Sequence, residues 1–470
     1  MSEEMESPPN KHKLPFRVKF FYGGVEGGTT IVWGVFSFFF LFFLTDVVSI
    51  QPAVAGTIIL IAGIWDAVTD PVAGFISDKT RSKWGRRRPY MIGFLAPFAV
   101  SAWLLFTNFE MSAEWTVAYF IAVCLIFYFV SDFITVPGNT LGAEMTRDYD
   151  ERTTLVSWRT VWSSVGTLVG MVAPLLLVQA YSEMIGDERW GWSAMMATLA
   201  IVGTIPIFLA WNFTQGYERY PEEPVKLTVM DLRVMLLENK PFLNLAGVII
   251  SIIGAVGILT AAVIYMLDHY LGYSEDESAF VFLIFQATGI LFVPLVNWYI
   301  HRYGKRTATM IGGVMAALIF SSFFFVSPGE DTLVYVIFIA ASLAVNFMYM
   351  VYWSMIPDVT EVDEFKSGQR REGVYYAVSD FINKIVMALG AFLVGLLLQV
   401  AGYIPEAPPE SSITMIRVLT SFAPAIFALL LFVFGYLNPM TKSKHEALKV
   451  AIKMKKAGKE YDEESIKGII

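Results

Sequence analysis

The stretch IWDAVTDPVAGFISDKTRSKWGRRRP occupies residues 64–89. It places two carboxylates, Asp66 and Asp70, four residues apart inside an apolar run, and it ends with six Lys and Arg residues. In a helix, positions four apart lie on the same face, one turn from each other. Two like charges therefore lie close together in a segment that has the composition of a membrane span, and they need a partner that stabilises them.

The composition of the whole chain indicates a protein that lies in a membrane. The 470 residues are 56% hydrophobic and only 16% charged, with a mean hydropathy of +0.56, whereas a soluble domain carries about 25% charged residues. The apolar residues fall in blocks of roughly 18 to 25, which is enough to cross a hydrocarbon core of about 30 Å as a helix. We predict an all-α membrane protein with twelve transmembrane helices, at 20–45, 53–77, 90–107, 115–143, 153–180, 193–215, 241–268, 278–300, 307–327, 333–356, 373–402 and 414–437.

The basic residues predict the orientation of these spans. With a cytoplasmic N-terminus, 30 of the 34 Lys and Arg residues fall in cytoplasmic segments, and only Arg189 and Arg417 lie on the external side, Arg417 at the external end of the last predicted span. Cytoplasmic loops collect Lys and Arg, whereas translocated loops do not. We therefore expect an even number of spans and both termini in the cytoplasm.

The chain divides near its middle. The longest internal polar connection leaves six spans on each side, and each half has a basic connector after its second span, at 78–89 and 301–306. This echo indicates two repeated six-helix bundles, although the general basicity of cytoplasmic loops is an alternative explanation. The predicted division is a cytoplasmic N-terminus at 1–19, an N-terminal bundle at 20–215, a middle loop at 216–240, a C-terminal bundle at 241–437 and a Lys-rich, partly helical tail at 438–470, expected on the cytoplasmic membrane surface.

Several function classes find no support in the sequence. The single cysteine, Cys124, and four scattered histidines give no thiolate or histidine metal cluster, and no GxxxxGK[ST] loop is present. The net charge of -8 gives no signal for nucleic acid. We expect a monomeric protein in the lipid bilayer that is not an enzyme, has no cofactor and binds no nucleic acid.

Asp66 and Asp70 predict a cation site. One ionised side chain at the centre of a bilayer costs about 2.5 to 3.5 kcal/mol on insertion scales. Two neighbouring carboxylates need either a shared proton or a bound cation, and a carboxylate pair suits hard cations. We therefore predict Na+ or H+ at Asp66 and Asp70. The alternative is that Asp70, which precedes Pro71, only organises the cytoplasmic loop.

Further charged residues lie inside the predicted spans: Glu26, Asp132, Arg159, Asp380 and Lys384. Charges within spans usually face a bundle interior or a polar cavity, so we predict that this set lines a central binding site. Two alternatives stay open. Asp380 and Lys384, four residues apart, form a self-neutralising pair, or Arg159 is a packing counter-ion for Glu26 or Asp132.

Aromatic residues near these charges suit a sugar. Planar bidentate donors recognise hydroxyl groups, and aromatic faces cover the apolar side of a sugar ring. The stacking candidates are Trp158, Trp353 and Tyr376.

Several strings together carry a family resemblance. TDVV after the first span, IWDAVTDP with TRSKWGRRRP, Arg159 after ERTTLVS, the connector PDVTEVDEFKSGQRREG and Lys384 occur in order and spacing. From about residue 16 to 440, the chain resembles the glycoside-pentoside-hexuronide:cation symporters, the melibiose-permease branch of the major facilitator superfamily. The resemblance implies a major facilitator fold, a prokaryotic plasma membrane, and symport of a small glycoside, sugar or sugar acid with a monovalent cation.

The resemblance also implies roles for individual residues. Asp66 and Asp70 correspond to the cation-binding pair, and Thr69 to a contributing residue. Asp132 matches a further cation ligand on the fourth helix, where sodium-coupled melibiose carriers have a hydroxyl. The positions that match Arg159 and Lys384 serve the sugar pocket and its link to the cation site.

The pocket departs from the family pattern at three positions. Thr30 and Thr135 stand where the family has aspartates for galactosyl hydroxyls, and Asn139 replaces an aromatic residue. Glu26, one turn from Thr30, is a candidate replacement. These departures weaken the expectation of a galactoside and leave another glycoside, a pentoside or a uronate.

Two other function classes stay open. Animal lysolipid carriers of the same branch share the paired aspartates, the arginine and the lysine, so a lysolipid or other amphiphile is the alternative substrate. A signalling or channel-like protein without coupled transport is the third possibility, but it assigns no function to the carboxylate pair.

Overall fold

The computed structural model describes residues 13–218, 239–369 and 371–469. The first part of the predicted N-terminus, 1–12, and most of the predicted middle loop, 219–238, lie outside the described residues. Within the described part, every regular element is helical. The α-helices are α1 (Phe16–Tyr22), α2 (Gly24–Phe42), α3 (Pro52–Lys79), α4 (Arg88–Gly93), α5 (Leu95–Leu105), α6 (Ala113–Met145), α7 (Tyr149–Ile185), α8 (Glu188–Phe213), α9 (Lys240–Tyr265), α10 (Glu275–Tyr303), α11 (Lys305–Ser322), α12 (Asp331–Ser367), α13 (Glu372–Val400), α14 (Glu410–Thr420), α15 (Phe422–Leu437) and α16 (Lys442–Lys456).

The predicted spans correspond to these helices. Eleven helical segments in the described part are long and apolar enough to cross a membrane. The third predicted span, 90–107, is helical but is divided into α4 and α5 at Phe94. Pro97 explains the break, because its nitrogen has no hydrogen to donate and its ring would clash with the carbonyl of Gly93.

The described residues group into two compact units. Those of the first unit fall within Met1–Phe36, Val68–Ser112 and Ala118–Val225. In this unit, α7 packs on α8, and α5 packs on α8. α2 and α8 meet at glycines, since a Cβ atom on Gly203 would lie 2.7 Å from the carbonyl oxygen of Gly28. Small residues let helix backbones approach each other in membranes.

The second unit takes the described residues within Ser37–Ala67, Ala113–Val117 and Lys226–Ile470. In it, α11 packs on α15, and α9 packs on α13 and α15. The first part of α3 approaches α13 at Gly56, where a Cβ atom would lie 2.9 Å from the Cα of Phe392. This close approach lets Asp66 on α3 reach Lys384 on α13.

The basic connectors make the same kind of contact in each half of the chain. In the first unit, Nη2 of Arg86 lies 2.6 Å from Oε1 of Glu144, near the end of α6. In the second, Nζ of Lys305 lies 2.7 Å from Oδ1 of Asp358, toward the end of α12. This recurrence is what an internal repeat leaves in a structure.

The tail is partly helical, as predicted, and it packs on the second unit. Leu448 of α16 lies in one buried apolar cluster with Val362 and Phe365 of α12 and with Ile466 farther along the tail. Nε2 of His445 lies 2.8 Å from a carboxylate oxygen of Glu361. The sequence pattern led us to place the tail on the membrane surface and did not include this packing against α12.

We expect Gly56→Val to destabilise the second unit, because the added side chain would collide with the backbone at Phe392. Overpacking of this kind typically costs about 1–3 kcal/mol. Thermal unfolding of purified protein, followed by tryptophan fluorescence, measures the effect. Gly93→Val is the control, since a Cβ atom at Gly93 meets nothing within 4 Å. Equal melting temperatures for the two variants would contradict the close approach of α3 and α13.

Candidate functional site

The second unit contains an ion pair between α3 and α13. Nζ of Lys384 lies 3.0 Å from Oδ2 of Asp66, whose side chain is only 4% exposed. Nζ also lies 3.9 Å from Oδ2 of Asp380, one turn earlier on α13. Lys384 therefore contacts Asp66 on another helix as well as Asp380 on its own helix. The alternative of a self-neutralising Asp380–Lys384 pair accounts only for the second contact.

The first unit contains a carboxylate pair. Asp70 on α3 and Asp132 on α6 each place an oxygen within 4.8 Å of the other's. The hydroxyl of Thr69 donates to Oδ2 of Asp132. Asp132 and Thr69 are buried. The site thus brings together two acidic groups and one hydroxyl, and all three offer oxygen atoms, the ligand type that hard cations prefer.

Helix α3 joins these two arrangements. It runs without a break from Pro52 to Lys79, so Asp66 and Asp70 lie one turn apart on the same face. Asp66 contacts Lys384 in the second unit, and Asp70 lies near Asp132 in the first. Each aspartate of the opening stretch therefore lies beside a charged residue of another helix.

A polar pair also lies between α2 and α7 of the first unit. Nη2 of Arg159 lies 2.9 Å from Oε2 of Glu26, and both side chains remain more than a quarter exposed, at 28% and 27%. Nε of Arg159 is buried without a hydrogen-bond partner. Because a buried donor without a partner is costly, this group is suited to a ligand oxygen.

The three positions that depart from the family pattern make local contacts. The hydroxyl of Thr30 donates to the carbonyl of Glu26, and that of Thr135 to the carbonyl of Ser131. The backbone carbonyl of Asn139 accepts a hydrogen bond from Tyr22. The two threonine hydroxyls thus bond to the backbone of their own helices, and Glu26 is the acidic group near Thr30.

The stacking candidates differ in their surroundings. Trp158 packs edge-on against Phe16 and Phe20, with ring centroids 5.6 and 5.0 Å away. Trp353 is 45% exposed and stacks on Tyr376 with a centroid distance of 6.1 Å. Trp353 also lines a cavity of about 670 Å³ in the second unit, whereas Trp158 contributes to helix packing in the first.

Two residues beside the site were not selected by the sequence analysis. Tyr22 precedes Glu26 by one turn and bonds to Asn139, and the hydroxyl of Ser131 accepts a hydrogen bond of 3.2 Å from the indole of Trp33. A search for polar residues one turn away from, or adjacent to, each buried charge would have found both of them.

Buried carboxylates and ion pairs within membrane spans mark substrate or ion pathways, as membrane transporters have them. Comparison with known families makes this more specific. Residues 21–442 match the family model described as MFS/sugar transport protein, and the chain belongs to this family of transporters. The predicted family and the major facilitator fold are thereby confirmed.

Individual relatives span two substrate types. The putative glycoside/cation symporter YagG of Escherichia coli (strain K12) is 26% identical, over 93% of this chain and 94% of its own. The sodium-dependent lysophosphatidylcholine symporter 1 of Xenopus tropicalis is 24% identical, over 98% and 94%. In fold, the chain resembles a bacterial homolog of the human lysosomal transporter Spinster, with a TM-score of 0.65 and 12% identity over 93% of this chain and 97% of that one.

We expect Lys384→Met to destabilise the protein, because Asp66 would lose the cation 3.0 Å away. Removing one partner of a buried ion pair costs about 3–5 kcal/mol. The double variant Asp66→Asn/Lys384→Met should recover much of this loss in thermal unfolding, since it removes both charges. Asp380→Asn is the control and should change stability less, because Asp380 is 47% exposed and more distant. A double variant as unstable as Lys384→Met would show that the pair is not coupled.

Proposed function

We propose that this protein is a secondary active transporter that moves a small sugar or glycoside by symport with Na+ or H+. Two buried or partly buried acids close together in membrane-length helices, Asp70 and Asp132, are the observation that carries the proposal. The family membership and the glycoside/cation symporter among the relatives support it. The substrate crosses unchanged, so the protein is not an enzyme, and a single chain is the functional unit.

The coupling cation binds at Asp70 and Asp132. Two oxygens that each lie about 2.4 Å from one hard cation are at most about 4.8 Å apart, and the two carboxylates meet this limit. The hydroxyl oxygen of Thr69 and the carboxylate of Asp66, one turn away, complete the proposed set. A proton shared by the two carboxylates is the alternative coupling ion.

Lys384 links the cation to the sugar. In the structure, its ammonium group pairs with Asp66. A cation that draws Asp66 into its own coordination weakens this pair and leaves Lys384 available to a substrate hydroxyl. The effect is a coupling free energy, so sugar binding must raise cation affinity by the same factor.

The test of coupling begins with thermal stabilisation by a panel of neutral glycosides, pentosides, uronates and lysophosphatidylcholine. A ligand that binds only the folded protein stabilises it by mass action. Stabilisation by a sugar supports the proposal. Stabilisation by lysophosphatidylcholine alone supports the amphiphile function of the Xenopus relative instead.

With the stabilising sugar, we expect Asp70→Asn to abolish uphill accumulation in proteoliposomes, because the cation site loses a charge. Exchange of labelled for unlabelled sugar should persist, since it needs no cation gradient. Imposed Na+ and pH gradients, applied separately, identify the ion. Glu114→Gln, an exposed position at the start of α6, is the control. Uphill accumulation by Asp70→Asn at the parental level would refute the cation site.

The substrate is neutral rather than anionic. Arg159 is held by Glu26 at 2.9 Å, so a substrate carboxylate would have to displace this acid. A sugar hydroxyl can instead donate to Glu26 and accept from the free Nε of Arg159. In the second unit, Lys384 likewise has a carboxylate beside it. The side chains of Arg159 and Lys384 are therefore both suited to bind substrate hydroxyl groups rather than a substrate carboxylate.

We expect Glu26→Gln to weaken the binding of neutral sugars and to improve that of uronates, because Arg159 would lose its acidic partner. A charged hydrogen bond is worth about 1.5–3 kcal/mol, which corresponds to a change in Kd of roughly tenfold or more. Isothermal calorimetry with a glycoside and the matching uronide measures both affinities. A parent protein that prefers the uronide would contradict the assignment of a neutral substrate.

A further inference from the structure

The TDVV motif after the first span has no part in the proposed transport site. Thr45 and Asp46 of this motif lie in a short π-helical segment, Phe43–Val47, that continues α2. A second π-helical segment, Met266–Tyr270, continues α9 and contains His269. Both segments belong to the second unit. π-Helical turns are frequent at functional sites.

The two segments meet at a partly buried group of hydrogen bonds. Nε2 of His269 lies 2.8 Å from Oδ1 of Asp46 and 2.6 Å from the hydroxyl of Tyr403. The same hydroxyl lies 2.6 Å from Oδ1 of Asp46. The hydroxyl of Thr45 contacts Oδ2 of Asp46 at 2.5 Å and the hydroxyl of Tyr265 at 2.7 Å.

The hydrogens in this group can be placed by counting donors. Tyr403 has one hydroxyl hydrogen, and it donates this to Asp46. Nε2 of His269 then faces two oxygen atoms that can only accept, so it must carry a hydrogen itself. In the neutral ring, Nδ1 is therefore without a hydrogen, and it lies 3.3 Å from Oδ2 of Asp268. A proton added to His269 goes to Nδ1, beside Asp268, and the charged ring then lies between the carboxylates of Asp268 and Asp46.

The surroundings favour the added charge. Asp46 and Asp268 are the acidic groups that face the ring, with side chains 9% and 46% exposed, so the proton can reach Nδ1 past Asp268. Tyr265 and Tyr403 are the phenols around it. Burial and the charge of Asp46 raise the pKa of Tyr403, so this hydroxyl keeps its hydrogen. The cation in the neighbouring helix α14, Arg417, lies over the ring of Tyr270 at 4.8 Å.

From this geometry we infer that Asp46, His269, Asp268 and Tyr403 form a proton-binding site, separate from the coupling site, that joins the end of the first span to the end of the seventh. Protonated His269 attracts Asp46 on one side and Asp268 on the other. We call this contact between the two helix ends the joint. It is strongest when the pH around His269 is low, and it weakens as the pH rises and the ring loses its charge.

The joint matters for transport because it connects helices from the two halves of the chain. Alternating access requires the two repeats to rock against each other, so a contact between the ends of spans one and seven favours the state in which these ends meet. Protonation of His269 stabilises that state, whatever ion drives transport.

Nuclear magnetic resonance of histidine-labelled protein in bilayers tests the proton site directly. The chain has four histidines, His12, His269, His301 and His445, and His269→Gln identifies the resonance of His269. We expect a neutral ring with hydrogen on Nε2 at alkaline pH, and uptake of a proton on Nδ1 during acidification between about pH 9 and about pH 5. A neutral ring with its hydrogen on Nδ1, or a ring that does not titrate in this range, would overturn the inference.

A labelling experiment tests the joint and does not need a known substrate. Leu44→Cys places a thiol at a position that is 0% exposed, and the natural Cys124 is also 0% exposed. We expect maleimide to modify Cys at position 44 roughly fivefold more slowly at acid than at alkaline pH, relative to the same reporter in His269→Gln, because the hydrogen bond from Nε2 to Asp46 loses the positive charge of its donor on deprotonation. The ratio of the two labelling rates at each pH removes the effect of thiol ionisation, because both reporters carry the same thiol.

His301→Gln is the matched control, since the His301 ring bonds to a backbone carbonyl, that of Asn297. It should leave the pH dependence of labelling at position 44 as in the parent. A ratio that is the same at acid and alkaline pH would contradict the proton-controlled joint. This result is independent of the coupling test at Asp70, so the two proposals can fail separately.

Discussion

The cost of an ionised carboxylate in the membrane governs this structure. Helix α3 carries Asp66 and Asp70 one turn apart, and each would be strongly unfavourable without a partner. Asp66 lies beside Lys384 of α13, which stabilises its charge. Asp70 lies near Asp132 of α6, a second carboxylate. One helix thus carries two acids that have charged neighbours on two other helices.

This arrangement provides a physical basis for the proposed coupling. Because Asp66 and Asp70 lie one turn apart on α3, a cation bound at Asp70 would change the electrostatic potential at Asp66 and therefore the strength of its pair with Lys384. A link of this kind acts equally in both directions.

The sequence predicted features that depend on composition and helix periodicity. The spans, the basic connectors and the charges within the spans follow from hydrophobicity and spacing, and the helices occur where they were expected. The break at Phe94 was missed because one proline in a short apolar block decided it. The packing of Leu448 on α12 was missed because the pattern of the tail specifies an amphipathic helix but does not specify whether its apolar face meets lipid or protein.

The candidate site was predictable in its residues and less so in its contacts. Buried charges can be recognised one by one, but the choice of partner depends on which helices approach each other, and this is decided by small residues such as Gly56. Glu26 illustrates the point: the sequence suggested it as a replacement for the acid missing at Thr30, and its contact with Arg159 comes from the packing of α2 near α7. His269 and Asp46 are separated by more than two hundred residues, so neither had a visible partner in the sequence.

The two halves of the chain share structural features that indicate duplication. The two connectors and the two π-helical segments recur at equivalent places, which indicates that the repeats kept a common backbone. The charges did not follow this symmetry, since Asp70, Asp132, Glu26 and Arg159 lie in the first half and Lys384 in the second. The acids of the proposed cation site and the lysine therefore come from different repeats. The ion pair of Asp66 with Lys384 is a direct electrostatic contact between helices of the two halves of the sequence, so the charge asymmetry itself links the two repeats.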